Sequence, residues 1–109
     1  MNEKQYPKVG DKLYLSQRTG NYYVDMVKNP YTVVEVHPSY ILIQEAECVF
    51  PSPRYYNTLP TEIKENPNGP VIKLRWSPKR KMWQYNTPSH AGYPEYAFFG
   101  RWEYQPYLD

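Results

Sequence analysis

The sequence predicts a single mainly-β domain, a small barrel or curled antiparallel sheet of five to six short strands with one short helix. Three observations point there. Twelve prolines, with few alanines and leucines, oppose long helices in a chain of 109 residues. Aromatic residues make up 17% of the chain, thirteen of them tyrosines, and rings with polar tips suit short, half-buried strands. Short alternating segments follow one another between turn clusters, as in small all-β domains. The length allows one modest core, and residues 1–109 read as one domain with loose ends at 1–7 and 105–109.

Val9-Gly10-Asp11-Lys12-Leu13-Tyr14-Leu15 is a glycine turn entering a strand, with Leu13 and Leu15 on one face and Lys12 and Tyr14 on the other. Ser16 to Asn21 is a loop with its tip at Thr19-Gly20-Asn21. Tyr22 to Val27 reads as a short strand or irregular chain, interrupted by Asn29-Pro30. The strongest hairpin joins Tyr31–His37 to Ile41–Ala46 through His37-Pro38-Ser39-Tyr40. Its first strand is expected to place Val34 and Val36 on one face, Val33 and Glu35 on the other. Pro51-Ser52-Pro53 stops the chain.

The one helix is expected over Thr58 to Asn66, before the fourth or fifth strand. Thr58 would cap it, Pro60 suits its first turn, and Leu59 and Ile63 share a face. Asn66-Pro67-Asn68-Gly69-Pro70 is a turn cluster, although Pro67-x-x-Pro70 also matches a polyproline spacing. Val71 to Trp76 follows as a strand, with Ile72, Leu74 and Trp76 on one face and Lys73 and Arg75 on the other. Ser77-Pro78-Lys79-Arg80 turns it back into Lys81–Tyr85. Asn86 to Pro94 is loop, and Tyr96 to Tyr104 a last strand bent at Gly100.

Val9-Gly10-Asp11-Lys12-Leu13 resembles the opening of SH3-like small barrels, which often begin with Val-Gly-Asp-x-Val before a loop and a hairpin. The resemblance covers about the first 45 residues. It implies a small barrel that binds peptides, nucleic acids or cell-wall material, and fold alone does not choose among them. Thr19-Gly20-Asn21 is similar to the glycine-centred loop of the nucleic-acid-binding members. The chain as a whole resembles small uncharacterised proteins of Gram-positive bacteria and their phages.

The functional signal is a charge that is local. The net charge is only +2, yet the segment from Lys73 to Trp83 holds five of the thirteen basic residues and no acid. The remaining eight basic residues are outnumbered by the eleven acidic ones. Lys73, Arg75, Lys79, Arg80 and Lys81 can meet phosphates, and Trp83 is the expected stacking ring for a base. The first expectation is therefore a non-enzymatic module that binds nucleic acid through a basic, aromatic hairpin. The competing explanation is a solvated hairpin whose charges keep a sheet edge from pairing, with Trp76 and Trp83 in the core. An acidic protein surface is a further partner for the same charges.

The alternative is a protein-interaction module, such as a mobile-element accessory protein, acting through Tyr22, Tyr23, Tyr55 and Tyr56. As strand neighbours, one ring of each pair would be exposed. An enzymatic reading needs Cys48 beside His37 or His90, and a small half-buried hydrophobe explains Cys48 without it. Glu45 and Glu47, and Glu62 and Glu65, read as solvated surface pairs. No ligand spacing points to a metal, and no phosphate loop or nucleophile elbow points to a cofactor or a catalytic residue. Met1 to Gly10 is polar, and no run of about 18 apolar residues spans a bilayer. A cytoplasmic protein with no membrane partner is expected.

Overall fold

The structure is a computed structural model, and it describes residues 4–52, 58–86 and 94–106. Its elements in chain order are β1 (Lys12–Gln17), α1 (Tyr22–Asp25), β2 (Asn29–Val36), β3 (Tyr40–Glu45), β4 (Glu47–Val49), β5 (Glu62–Lys64), β6 (Val71–Ser77), β7 (Met82–Tyr85) and β8 (Glu95–Phe99). Six of the strands close into an antiparallel barrel in the order β1-β2-β3-β6-β7-β8. β8 returns to β1 through pairs that run from Leu13 opposite Phe99 to Gln17 opposite Glu95. Between β3 and β6 the chain leaves the barrel as a two-stranded ribbon, β4 with β5. Among the described residues no helix is long and apolar enough to cross a membrane.

Alternation along each strand fills the barrel. Leu13, Leu15, Val33, Ile41, Ile43, Leu74, Trp83 and Ala97 form the buried core, with Tyr31, Val36, Ile72, Trp76 and Tyr85 packed around it. Neighbouring strands supply matched pairs: Ile41 lies opposite Leu74, Ile43 opposite Ile72, and Trp76 opposite Trp83. The two indoles meet edge to face, 5.5 Å apart at 71°. Burial among these groups drives the Tyr31 hydroxyl well above the ordinary phenol range, with the nearby Glu45 and Glu95 carboxylates adding to the effect.

The faces of β2 differ from simple alternation. The register with β3 shifts between Val33 and Glu35, so a bulge takes up Val34. The core side chains are therefore Val33 and Val36, not Val34 and Val36. A bulge changes the parity of everything after it, and local sequence does not mark where that happens.

The helix is also misplaced by local reasoning. Thr58–Asn66 contains β5, not a helix; Ile63 pairs with Cys48, and the Thr61 amide donates to the Val49 carbonyl at 2.8 Å. Two isolated helical turns carry a nucleation cost, whereas the exposed backbone of β4 offers a ladder. The helix is α1, in the segment read as strand or irregular chain. Asn21 caps it, its Oδ1 accepting from the amides of Tyr23 at 3.0 Å and Val24 at 3.4 Å. At the other end of the barrel Gly100, at φ 115°, bends the chain out of β8.

Residues near both ends of the described chain bond to other parts of it. Lys4 Nζ and the Tyr6 hydroxyl both donate to the Pro38 carbonyl, at 2.9 and 2.8 Å. Gln105 and Lys28 exchange two backbone hydrogen bonds, and Trp102 Nε1 donates to the Tyr31 carbonyl at 2.9 Å.

The bulge gives a direct test. Val33→Ala should cost about 2 kcal/mol in urea denaturation, because it empties core volume. Val34→Ala should cost less than about 1 kcal/mol. Equal losses would place both side chains in the core and remove the bulge.

Candidate nucleic-acid interface

The basic hairpin is built by β6, its turn and β7. β6 turns Leu74 fully inward and leaves Lys73 and Arg75 exposed on the outer face. Four residues, 78–81, connect it to β7. Ser77 holds this turn: its carbonyl accepts from the Lys81 amide at 2.7 Å and its Oγ from the Arg80 amide at 3.2 Å. Lys81 takes the left-handed conformation, φ 57°, that closes such a loop. Lys79, Arg80 and Lys81 are exposed at this tip. Among the described residues none of the five cations forms an ion pair with a carboxylate.

The hairpin is not a sheet edge. β6 pairs with β3 on its far side, and β7 pairs with β8. Strand register then lines up one row on the side of the sheet away from the core: Tyr40 opposite Arg75, Arg75 opposite Gln84, Gln84 opposite Tyr96, and Tyr96 opposite Ser16, the last two being buried. At the usual strand spacing this row runs ~19 Å. Lys73 Nζ sits 4.6 Å from the Tyr40 ring centroid, whose other neighbour is the stacked His37 ring at 4.4 Å. The Arg80 guanidinium leans the other way, 5.7 Å from the Tyr96 ring. Lys73 and Arg80 thus extend the charge to both sides of the hairpin.

Trp83 does not provide a stacking surface. It is 1% exposed, and its Nε1 donates to the Gln5 carbonyl at 2.7 Å. Trp76 and Tyr6 pack on its ring. The alternation that turns Lys73 and Arg75 outward turns Trp76, and Trp83 opposite it, inward. The rings available near the cations are others. Tyr40 is half-buried beside Lys73, and Tyr14 and Phe98 stack across β1 and β8, 5.2 Å apart at 16°. Tyr14 was already legible on the outer face, opposite in sense to Leu13 and Leu15. Its partner Phe98 was not, because the β1–β8 pairing joins distant parts of the chain.

Beside that ring pair lies a cleft of about 540 Å³, lined by Tyr14, Phe98, Arg18, Lys28, Arg80 and Asp25 among others. Lys28 Nζ is 5.4 Å from the Tyr14 ring and 3.0 Å from Glu103 Oε1. The hydrogen bond from Lys28 pulls the Glu103 carboxyl below its ordinary range against the opposing effect of burial, and Arg101 adds to the pull. Asp25 is turned into its own loop, accepting from the Thr19 amide and hydroxyl at 2.7 and 2.8 Å and the Gly20 amide at 2.9 Å. Burial raises its carboxyl pKa, but these three bonds and nearby Arg18 together outweigh burial and lower it.

The tyrosine surface is more open than strand geometry implies. Tyr22 and Tyr23 are 72% and 58% exposed, because they stand on one helical turn rather than on opposite faces of a strand. Their rings meet edge to face at 5.5 Å. Tyr55, Tyr56 and His90 lie outside the described residues. Cys48 pairs opposite Ile63 in the ribbon, whereas His37 stands at the opposite end of β3 and contacts Glu35 at 2.9 Å. The six residues of β3 separate them by roughly 20 Å, so a Cys48–His37 pair does not form.

Asp25 gives the loop a pH dependence of known sign. A carboxyl whose pKa is lowered by folding stabilises the folded loop when ionised. That contribution is present above the ordinary aspartate pKa of 3.8 and is lost as pH falls through the lower folded value. Amide exchange at Thr19 and Gly20, taken relative to the unprotected rate at the same pH, should accelerate on acidification below about pH 4. In Asp25→Asn it should already be fast at neutral pH, and protection that survives in that variant would remove Asp25 as the organiser.

Comparison with protein-family models, curated proteins and solved structures gives no match, so neither a family nor the resemblance to proteins of Gram-positive bacteria and phages is shown, and the geometry stands alone.

Proposed function

We propose that this protein is a non-enzymatic module that binds nucleic acid in the cytoplasm through the outer wall of its barrel, with Lys73, Arg75, Lys79, Arg80 and Lys81 meeting phosphates. The carrying observation is that these five cations project from one hairpin without carboxylate partners among the described residues. Protection of a sheet edge does not account for them, because barrel closure leaves β6 and β7 paired on both sides. Four of the acidic residues also lie away from them. Glu45, Glu47, Glu62 and Glu65 gather where β3 runs into the ribbon, away from the β6–β7 turn. Tyr40, beside Lys73, replaces Trp83 as the ring for a base to stack on. The closed barrel is consistent with an SH3-like small barrel, a fold used for several kinds of ligand.

A second reading rests on Tyr22 and Tyr23. Two adjacent exposed rings on a capped helical turn suit the centre of a protein interface, where such residues often dominate affinity. A protein partner, of the kind a mobile-element accessory protein would have, would hold at high salt because buried apolar area is not screened.

The two separate in one titration. Fluorescence anisotropy of labelled single- and double-stranded oligonucleotides should show binding that weakens steeply with salt. Five phosphate contacts on a single strand correspond to a log–log slope of about −3.5. Reversing Lys79, Arg80 and Lys81 to Glu should abolish binding and leave the thermal melt in place. Undiminished binding by that variant would sink the proposal, and salt-resistant capture of a protein that requires Tyr22 and Tyr23 would favour the second reading.

A further inference from the structure

The cleft beside Tyr14 and Phe98 is not used by the phosphate contacts assigned to the hairpin, apart from Arg80 at its border. Three separate segments bring cations to it: Arg18 from the loop after β1, Lys28 from the approach to β2, and Arg80 from the β6–β7 turn. Its volume of about 540 Å³ falls within the roughly 300–1,000 Å³ typical of small-molecule sites. We propose that this cleft seats a nucleotide phosphate, either of a free mononucleotide or of the phosphorylated end of a strand lying on the hairpin. The strand source rests on the nucleic-acid function proposed above, whereas the mononucleotide source does not.

The chemistry of the lining selects this class. Arg18 Nη1 donates to the Met82 sulfur at 3.5 Å, a weak acceptor that a phosphate oxygen would outcompete. Arg80 is held over the Tyr96 ring, which positions its guanidinium without neutralising it. Two guanidiniums match the several oxygens of a phosphate monoester better than the single carboxylate of a side chain. Lys28 frames the cleft but already shares its charge with Glu103. Asp25, the one acid in the lining, has its carboxylate engaged by Thr19 and Gly20. It therefore braces the loop that presents Arg18. The stacked Tyr14 and Phe98 rings add apolar surface for a base, which inorganic phosphate cannot use.

The test compares oligonucleotides of one sequence carrying a 5′-phosphate, a 3′-phosphate or only hydroxyl ends, by anisotropy, together with calorimetric titration of adenosine monophosphate. A phosphorylated end should bind about five- to tenfold more tightly than the hydroxyl-ended strand. Arg18→Gln, an exposed position, should erase that preference while leaving hydroxyl-ended binding unchanged. Lys79→Ala with Lys81→Ala should weaken every strand and leave mononucleotide binding in place. Preference for phosphorylated strands assigns the strand source, and mononucleotide binding without strand binding assigns the free source while overturning the function proposed for the hairpin. No end preference and no mononucleotide binding would overturn the cleft alone if hydroxyl-ended strands still bind. Inorganic phosphate or an acidic peptide competing as well as the mononucleotide would overturn the nucleotide assignment.

Discussion

Closure of the barrel between β1 and β8 is the contact on which the rest of the molecule depends. Five consecutive pairs, Leu13 with Phe99 through Gln17 with Glu95, join the first strand to the last. Closing so long a loop carries an entropic cost before any contact compensates it. What compensates it is the apolar interior that closure completes, in which Leu13, Leu15 and Ala97 meet Trp83 and the isoleucines of β3. The same pairing stacks Tyr14 on Phe98 and sets the buried Ser16 beside the buried Tyr96. The core and the candidate site are two faces of one ladder.

Closure also changes what the basic hairpin means. In an open sheet, lysines and arginines on an outer strand guard against edge-to-edge pairing. In a barrel there is no such edge to guard, and five like charges on one hairpin repel one another, offset within the protein by the ring contacts of Lys73 and Arg80. Such a concentration is more readily understood as complementary to something outside the protein. Four of the eleven acidic residues, Glu45, Glu47, Glu62 and Glu65, lie at or beside the ribbon rather than at the β6–β7 turn.

The loop between β1 and β2 shows how a small domain organises a surface without a large core. Asn21 caps α1, Asp25 at the end of that turn folds back on Thr19 and Gly20, and the Ser16 hydroxyl donates to the Asp25 carbonyl at 2.7 Å. This compact set of polar bonds holds Arg18 at one wall of the cleft and presents Tyr22 and Tyr23 to solvent. Cap and carboxylate both act on backbone amides that the loop would otherwise leave without partners.

The sequence by itself determined the class of fold, the position of most strands, the outward face of Lys73 and Arg75, and the local charge. These follow from alternation, proline content and composition, which act within a few residues. Only the tertiary structure decided the rest. Trp83 is core because its strand partner is Trp76, Val34 leaves the core because β3 imposes a bulge, and 62–64 is strand because β4 needs a partner. Arg18, Lys28 and Arg80 meet only because the barrel closes. Each of these outcomes is a contact between residues far apart in the chain, and its energy is absent from any local pattern until the barrel forms.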